Sequence, residues 1–416
     1  MTLSCFELGE RMLTVVEARE ALADLVRHAL PVEPVPLAAL HGRVLAEPVV
    51  SAIDVPQNTN AAMDGIALAW PVAGEVPSVW PVAGEVLAGR QRDTPLAAGA
   101  CVRITTGAPL PPGADTVIMR EQLVEVGDAV RVEHPERVRH GQHVRQAGED
   151  LARGETALAA GTRLGAAELG LLASLGVAGA FVHRRPRVAV FSTGDEVTAP
   201  GEALPPAGIY DANRYTLAGL LTEQGVEVLD LGILPDAHDA LVVALREAAD
   251  RADLVVSSGG VSVGHADFTR AALEEVGRLA FWRIAIRPGR PLACGQLGAR
   301  QVPFLGLPGN PVAVMVTFLQ FVVPLLDRLQ GRAYRPAPLT AVTDETLKSR
   351  QGRTDFLRGI YHAGPDGRLH VRSTGAQGSG ILSSMVAANC LIELTDDREG
   401  AVPGEAVSIH PLHRLS

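Results

Sequence analysis

Two polar segments of the sequence contain the residue types that bind phosphates and metal ions. The first, FSTGDE, begins at Phe191 and places Thr193, Gly194 and Glu196 directly after an apolar run. Small residues let backbone N–H groups approach an anion, and carboxylates can hold a magnesium ion beside a phosphate. The segment also suits an ordinary polar turn in which Asp195 caps a short helix, and by itself it favours that turn.

The second segment, VVSSGGVSVGHADFTR, begins at Val255 and matches neither of the two familiar phosphate loops. It lacks the glycine spacing of a dinucleotide fingerprint, and His265 stands where a P-loop has its lysine. Residues 257–260 leave a predicted strand, and a helix begins near Asp267. The helix N-terminus suits a bound phosphate or Asp267 itself, and Asp267 is equally well explained as an N-cap.

Three arginines follow in the segment FWRIAIRPGRP, at positions Arg283, Arg287 and Arg290. The planar fork of guanidinium donors suits phosphate or another oxyanion. On a single strand, Arg283 and Arg287 would share one face. The next segment, LPGNPVAVMV, predicts a helix with Asn310 as its N-cap and Pro311 at its first position.

The elements that must position these residues alternate between strands and helices. RVAVFSTGDE, GVEVLDLGILPD and ADLVVSSGG are apolar strands that end in polar loops, and helical segments separate them over residues 213–225 and 236–252. Strands that are apolar on both faces are typical of a parallel α/β sheet. Ligands of such sheets bind beyond the carboxyl ends of the strands, where these polar loops are expected.

The flanking regions predict β-rich domains. Residues 51–146 are rich in valine, glycine and proline with short alternating runs, and residues 331–416 alternate again. Residues 12–30 predict an amphipathic helix with Thr14 as N-cap and Glu17 as its capping-box partner.

The heptapeptide WPVAGEV occurs twice, beginning at Trp70 and at Trp80, inside a near-tandem repeat of ten residues that runs to Gly89. A period of ten is too short for a solenoid. We interpret the repeat as two similar strand–turn units or a local duplication.

Composition excludes several classes of function. The 416 residues are 47% hydrophobic and 20% charged, the formal charge is −10, and nucleic acid is therefore not expected as a partner. The apolar run that begins at Pro311 is interrupted by Gln320 and Pro324 and is shorter than the ~20 residues of a membrane span. With no signal-peptide pattern at its N-terminus and four scattered cysteines, the protein is expected in the cytoplasm.

Taken together, the motifs resemble those of one family, the molybdopterin molybdenumtransferases of the MoeA type, which includes the gephyrin E domain. The motifs occur in the family's order along nearly the whole chain: NAAMDGIAL, RITTGAPLPPGAD, GEDL, FSTGDEV, YDANRYTL, LVVSSGGVSVGHADFT, AIRPGRP and LPGNPVAV. The resemblance implies that the enzyme takes adenylated molybdopterin and molybdate, hydrolyses the adenylate, and yields molybdenum cofactor and AMP. It also implies a Mg²⁺-dependent homodimer that receives its substrate from an upstream adenylyltransferase.

The resemblance further implies an elongated multi-domain protomer of class α/β plus β. The expected domains are a linker and dimerisation region over 1–50 and 147–180, a β-rich insertion over 51–146, a parallel-sheet α/β domain that binds the pterin nucleotide over 181–330, and a small C-terminal β-domain over 331–416.

The resemblance also assigns roles to individual residues. The acidic residues expected to be catalytic are Asp64, Glu196, Asp236 and Asp267, and of these Glu196 and Asp267 are expected to hold the metal. The residues expected to bind substrate are Thr106, Thr193, Gly194, Ser258, Gly259, Gly260, Ser262, Arg283, Arg287, Arg290, Pro308 and Ser379. Arginine occupies the positions of the family's lysines at Arg287 and Arg290, and the only lysine in the chain is Lys348. His143 stands where asparagine is common in the family, and Ile66 replaces a tyrosine.

Two alternative functions compete with this hypothesis. Molybdopterin adenylyltransferases and nucleotide pyrophosphatases share the α/β domain and its SSGG loop, but they lack the MDG and TTGAP motifs and the final β-segments. An interaction scaffold of the gephyrin kind would need an extra domain and a long linker, which this sequence does not contain.

Overall fold

The computed structural model describes residues 12–72, 74–259 and 267–412. They form two compact units, which we treat separately. The larger unit comprises the described residues of Met1–Glu33, Gly42–Ala46 and Val182–Ser416, and the smaller unit comprises those of Pro34–His41 and Glu47–Phe181.

The larger unit contains a central sheet, a barrel and the helices that cover them. Its main strands are β1 (Met12–Leu13), β2 (Arg187–Thr193), β3 (Glu227–Leu234), β4 (Leu254–Ser258), β5 (Gly277–Ile284), β6 (Ile286–Arg287), β7 (Pro291–Leu297), β8 (Val302–Leu307), β9 (Leu339–Thr343), β10 (Thr354–Ala363), β11 (Leu369–Ser373), β12 (Cys390–Leu394) and β13 (Ala406–Pro411). Its helices are α1 (Val15–Ala23), α2 (Ala212–Glu223), α3 (His238–Arg251), α4 (Asp267–Val276), α5 (Pro311–Thr317), α6 (Val323–Leu329) and α7 (Leu382–Ala387). Two short strand pairs complete it, Val197–Thr198 with Ile209–Tyr210 and Leu347–Lys348 with Gly400–Ala401.

The central sheet has seven strands in the order β1, β5, β7, β8, β4, β2, β3. Six of them run in the same direction, and β7 is antiparallel to both of its neighbours. The sequence predicted a parallel sheet, and the sheet is parallel except for β7. Short turns join β7 to β5 and β8, and short turns permit only antiparallel neighbours, whereas parallel neighbours need a long crossover.

Helices cover both faces of the central sheet. On one face, Val188 and Val190 of β2 pack in a core with α1, α2 and α5. On the other face, Ala189 and Phe191 pack in a second core with α3 and α4. Successive strand residues therefore alternate between two apolar cores, which explains why the strands are apolar throughout and confirms the predicted α/β class.

Helix α1 begins as its sequence predicts. Thr14 Oγ1 accepts a hydrogen bond from the Glu17 backbone N–H at 3.2 Å, and the Glu17 carboxylate accepts one from the Thr14 N–H at 2.9 Å. The helix ends at Ala23 with Asp24 as its C-cap, which is shorter than the predicted 12–30.

Helix α5 continues through a π-helical turn, Phe318–Val322, into α6. The whole segment, Pro311–Leu329, has a mean hydropathy of 1.8 and is long and apolar enough to cross a membrane, but 72% of it is buried inside the structure. Phe318 and Phe321 are completely buried in the core with β4 and β8. The apolar run is thus accounted for as a core helix.

The C-terminal strands close into a barrel. Their order is β10, β11, β9, β13, β12, and β12 pairs again with β10. Its interior contains Val371, Ile392, Val407 and Ile409. The short strand β6 adds to β10 with Arg287 opposite Asp355, so the chain passes directly from the central sheet to the barrel.

The smaller unit is β-rich, as predicted. Its six-stranded sheet has the order Thr116–Met119, Gly65–Leu68, Cys101–Ile104, Val79–Val86, Ala129–Val132 and Leu123–Val126. Two further pairs are Asn60–Ala61 with Val144–Arg145 and Val49–Val50 with Thr156–Leu158, and one helix spans Ala166–Ser174. Strands Val32–Pro36 and Gly179–His183 each contain residues of both units.

The two copies of WPVAGEV have different structures. The second copy lies in the strand Val79–Val86, where Trp80 is 1% exposed and its Nε1–H donates to the Pro77 carbonyl at 2.8 Å. The described residues of the first copy form no strand, and Val72 is fully exposed. The interpretation as two similar strand–turn units is therefore wrong, because only the second copy has neighbouring strands on both sides.

In the described ranges, two residues other than glycine have a left-handed backbone, His143 and Gln301, each with φ of 55°. Asparagine and histidine are both enriched in this conformation. The conformation explains why asparagine suits the position of His143 and why histidine can replace it there.

The repeat provides a matched pair of substitutions. We expect Trp80→Ala to lower the free energy of unfolding by about 3–5 kcal/mol because it empties a core site. Trp70→Ala removes the same type of side chain, but the Trp70 ring is only partly buried and lies 5.4 Å from the His140 ring. We therefore expect a smaller loss of unfolding free energy for this variant. Chemical denaturation followed by circular dichroism measures both, and equal losses would contradict the assignment of the buried copy.

Candidate functional site

The carboxyl ends of four parallel strands meet at one edge of the central sheet. The registers pair Ser192 of β2 with Ser258 of β4, and Ser258 with Leu307 of β8. After β2 the chain crosses to β3 on one side of the sheet. After β4 it crosses to β5 on the other side. The gap between β2 and β4 is therefore the topological switch point, where open α/β sheets bind ligands.

A cavity of about 740 Å³ opens at this edge, between the strand ends and the barrel. Its lining residues are Glu196, Gly259, Ile286, Arg287, Pro288, Gly289, Arg290, Pro291, Pro308, Gly309, Asn310, Ala313, Arg353, Gln377, Gly378 and Ser379. Six of the sequence-predicted site residues are thus brought together: Glu196, Gly259, Arg287, Arg290, Pro308 and Ser379.

The other predicted residues lie elsewhere or outside the described ranges. Thr193, Gly194 and Ser258 belong to the same strand ends without lining the cavity, and Asp236 follows the end of β3. Gly260 and Ser262 lie outside the described residues, as does the side chain of Asp267, the first residue of α4.

Arg283 and Arg287 do not share the face of one strand. Arg283 is exposed on β5 of the central sheet and does not line the cavity, whereas Arg287 lies on β6 beside the barrel. The chain changes sheets at Ala285, whose N–H donates to Leu13 and whose carbonyl accepts from Thr354.

Two glycines permit the close packing of the strand ends. At Gly194, with φ of 134°, a Cβ would come within 2.6 Å of the Glu196 carboxylate. At Gly259, with φ of 85°, it would come within 2.9 Å of the Thr193 carbonyl oxygen. A side chain at Gly194 would have a strained backbone and would push the Glu196 carboxylate aside, and one at Gly259 would press on the backbone of β2.

A buried carboxylate orients two of the cavity's three arginines. Asp355 is 0% exposed and accepts a hydrogen bond from Arg353 Nε at 2.8 Å, and Arg287 Nη1 lies 3.5 Å from its other oxygen. The sequence analysis missed Arg353 and Asp355. Their spacing of two in RTD, which places both side chains on one face of a strand, is the signal that could have found them.

The loop that contains Ser379 is held by buried polar groups. Arg358 is 1% exposed and donates to the carbonyls of Ala376 at 3.2 Å and Gly378 at 2.9 Å. Burial, with a smaller effect from the charge of Arg287, lowers the pKa of Arg358 to about 10. The Ser379 carbonyl accepts from the N–H of Val312 at 3.1 Å, which connects the loop to the start of α5.

Three buried polar atoms at the strand ends have no hydrogen-bond partner among residues 12–72, 74–259 and 267–412: Thr193 Oγ1, Ser257 Oγ and Asn213 Oδ1. The other end of the Asn213 amide donates to Ser258 Oγ at 2.8 Å and to the Gly309 carbonyl at 2.7 Å. Unpartnered buried polar atoms are rare in folded proteins, and these three lie close together behind the lining of the cavity. Sequence reasoning quoted the motif YDANRYTL without singling out Asn213.

In the smaller unit, Asp64 and Thr106 are brought together although 42 residues separate them. One carboxylate oxygen of Asp64 accepts from both the backbone N–H and the hydroxyl of Thr106, each at 2.7 Å. These two hydrogen bonds lower the pKa of Asp64, the backbone bond having the larger effect. The exposed carboxylate is therefore held ionised and in a fixed orientation.

Comparison with known proteins agrees with this arrangement. Three family models match in succession: the MoeA N-terminal region (domains I and II) over residues 13–176, a probable molybdopterin-binding domain over 189–328, and the MoeA C-terminal region (domain IV) over 340–412. The chain is 41% identical to the molybdopterin molybdenumtransferase of Haemophilus influenzae, across 97% of this chain and 100% of that protein. The chain belongs to the molybdopterin molybdenumtransferase family.

Other members of the family are similar along most of their length. The molybdopterin molybdenumtransferase of Nostoc is 37% identical, across 87% of this chain and 84% of that protein. The crystal structure of the molybdopterin biosynthesis MoeA protein from Pyrococcus horikoshii OT3 superimposes with a TM-score of 0.82 at 29% identity, covering 97% of this chain and 100% of that one. As a molybdopterin molybdenumtransferase, the protein is a transferase of molybdenum cofactor biosynthesis, and the predicted family, enzyme class and multi-domain fold are confirmed.

The contact between Asp64 and Thr106 predicts a measurable titration. We expect Thr106→Val to raise the pKa of Asp64 towards its ordinary value, because one of the two hydrogen bonds to the ionised form is lost. Since the folded-state pKa is lowered, the stability from this carboxylate is present above its unfolded pKa and is lost as the pH falls through the folded value. Carbon-13 NMR of the carboxyl group measures the change.

Thr105→Val is the matched control, because the Thr105 hydroxyl accepts from the Ala88 N–H rather than bonding Asp64. An Asp64 titration that is the same in both variants would show that the Thr106 hydroxyl does not stabilise the carboxylate.

Removing a buried carboxylate is expected to cost more stability than removing an exposed one. Asp355→Asn removes the buried counter-charge that Arg353 and Arg287 share and weakens the hydrogen bond from Arg353, so we expect it to lower the free energy of unfolding by about 1–3 kcal/mol. Glu227→Gln breaks the exposed pair with Arg187, at 3.1 Å, and is expected to cost only about 0–1 kcal/mol. Denaturant unfolding compares them, and similar costs would refute the role of Asp355.

Proposed function

We propose that the cavity at the strand ends is where this molybdenumtransferase binds adenylated molybdopterin and molybdate and releases AMP. The observation that carries this proposal is the convergence of Arg287, Arg290 and Arg353 with Glu196 on one cavity at the topological switch point. The diphosphate of adenylated molybdopterin and the molybdate dianion both require cationic donors, and guanidinium groups fit tetrahedral oxyanions.

The reaction needs neutralisation of the charge that develops as the diphosphate is cleaved. Water adds its oxygen to one phosphorus atom, the bridging P–O bond breaks, and the leaving phosphate oxygen gains negative charge. Preoriented arginines stabilise that charge without reorganisation, and Asp355 keeps Arg353 and Arg287 oriented before substrate arrives. Ser379 lines the same cavity and is a further substrate-binding residue of the proposal.

The cavity offers a carboxylate to a magnesium ion. Glu196 is the only carboxylate among the described residues that line the cavity, and the described chain has no cluster of three His, Cys, Asp or Glu side chains suited to a metal. Magnesium usually keeps several waters and takes one or two carboxylates together with substrate phosphates. Glu196 and Asp267 would hold the ion, which would supply charge neutralisation at the phosphates.

The remaining predicted residues complete the proposal. Asp64 or Asp267 orients the attacking water, Asp236 is a further catalytic acidic residue, and the Asp64–Thr106 pair is contributed by the β-rich unit of a homodimer. The proposal also includes a cytoplasmic location and delivery of substrate by an upstream adenylyltransferase. Its support is the order of family motifs along the chain and the near full-length similarity to known molybdenumtransferases.

The test supplies adenylated molybdopterin and molybdate and follows AMP release together with formation of active cofactor. We expect Arg287→Gln to lower kcat about 10²-fold, the usual effect of losing one preoriented donor. Arg283→Gln is the matched comparison, because Arg283 lies four residues earlier and does not line the cavity. The geometry predicts nearly full activity for that variant.

Full activity of Arg287→Gln would refute the proposed site. Consumption of ATP with plain molybdopterin, without AMP release from the adenylated substrate, would instead support the alternative adenylyltransferase.

A further inference from the structure

A second cavity, which we call the distal cavity, lies at the opposite edge of the central sheet. It has a volume of about 660 Å³ and opens where β5 begins, where β7 turns into β8, and where α1 and α6 end. A smaller cavity of about 290 Å³ adjoins it and shares five of its residues. Because β5 runs from the distal cavity to the barrel side of the sheet, the two sites are separated by the length of that strand, roughly 26 Å.

The walls of the distal cavity are fixed by the core. Leu25 and Val26 are 5% and 3% exposed, so the segment after α1 is anchored by apolar burial. Arg328 Nε donates to the Val26 carbonyl at 2.9 Å, and the Leu30 N–H donates to the Leu329 carbonyl at 2.8 Å. These contacts hold the end of α1 against the end of α6 and create a preformed site.

The distal cavity is positively charged in a protein of net charge −10. Its lining contains three arginines, Arg27, Arg278 and Arg328, and a single carboxylate, Asp24. In the part of the chain that the structure describes, Arg27 has no hydrogen bond or ion pair, and the terminal amino groups of Arg328 have no partner. The guanidinium groups of Arg27 and Arg328 are therefore available to bind an anionic ligand.

The lining also includes two carboxamides, Gln296 and Gln301, and the backbone of Gln301 is unusual. Gln301 closes the turn between β7 and β8 with φ of 55°, a conformation that costs about 1–2 kcal/mol for a residue with a Cβ. Nearly all other left-handed positions in the described chain are glycines. Glycine would relieve the strain here, so the presence of glutamine at the cavity indicates a use for its side chain.

We propose that the distal cavity binds a small organic phosphate of the nucleoside monophosphate class. Arg27 and Arg328 bind the phosphate, the carboxamides of Gln296 and Gln301 pair with ring donors and acceptors, and the Leu25–Val26 segment contacts the apolar faces. A volume of about 660 Å³ exceeds the need of a bare oxyanion and lies within the range of small-molecule sites. The proposal does not depend on the proposed function, since it concerns the other edge of the sheet.

The test titrates the full chain with AMP by isothermal calorimetry. We expect a class of AMP sites that survives Arg287→Gln and is weakened at least tenfold by Arg27→Gln, because Arg27 is exposed and its loss disturbs no described contact. Arg372→Gln removes an exposed arginine of the barrel and serves as the charge-matched control, with binding unchanged. Equal AMP binding in wild type and Arg27→Gln, or loss of all AMP binding in Arg287→Gln, overturns the proposal.

Two fragments of AMP, inorganic phosphate and adenosine, test the proposed class of ligand. We expect inorganic phosphate and adenosine each to bind the distal cavity at least tenfold more weakly than AMP. Phosphate that binds as tightly as AMP would show that the site recognises only an oxyanion, and adenosine that binds equally would show that the arginines do not recognise the phosphate. Either result overturns the proposed class.

Gln301→Gly separates a structural role from a binding role. The glycine relieves the left-handed strain, so we expect the midpoint of thermal unfolding to rise while AMP binding at the distal cavity weakens several-fold. A purely structural glutamine would leave AMP binding unchanged, and that result would remove Gln301 from the site. The transferase assay is carried out on the same variants. Full activity of Arg287→Gln would refute the proposed function but would leave the AMP titrations of the distal cavity unchanged.

Discussion

The buried carboxylate of Asp355 is the constraint on which the candidate site depends. It lies on strand β10 of the barrel, accepts a hydrogen bond from Arg353 and faces Arg287, which belongs to the short strand β6 that follows the central sheet. A completely buried charge is tolerated only when it is paired, so both guanidinium groups must remain beside it. The carboxylate thus adds to the backbone pairing of β6 with β10 and holds two guanidinium groups at the cavity.

The strand ends contribute a second kind of preorganisation. Asn213 bridges Ser258 and Gly309, connecting the segments that follow β4 and β8, and leaves its carbonyl oxygen unpartnered among the described residues. Thr193 and Ser257 add unpartnered hydroxyl groups nearby. The two hydrogen bonds of Asn213 therefore fix the segments behind the cavity before any ligand binds.

Much of the fold followed from local patterns. The capping box at Thr14, the helix start at Pro311 and the strands apolar on both faces are recognisable because each depends on neighbouring residues or on a short period. The antiparallel β7 and the unequal copies of WPVAGEV were not recognisable in this way. The identical segments that begin at Trp70 and Trp80 have different structures, because strand formation depends on which other strands are available to pair.

The sequence by itself determined the family, the enzyme class, the α/β core and the acidic and basic residue types of the site, because ordered motifs and periodicity are properties of the chain. Only the tertiary structure decided that Arg287 and Arg353 line the cavity while Arg283 does not. It also decided that Asp355 pairs with both cavity arginines and that Asn213 bonds Ser258 and Gly309. Those distinctions depend on which segments meet after the chain changes sheets. No local pattern encodes such contacts, since they join residues that are far apart in the sequence and are set by packing of the whole unit.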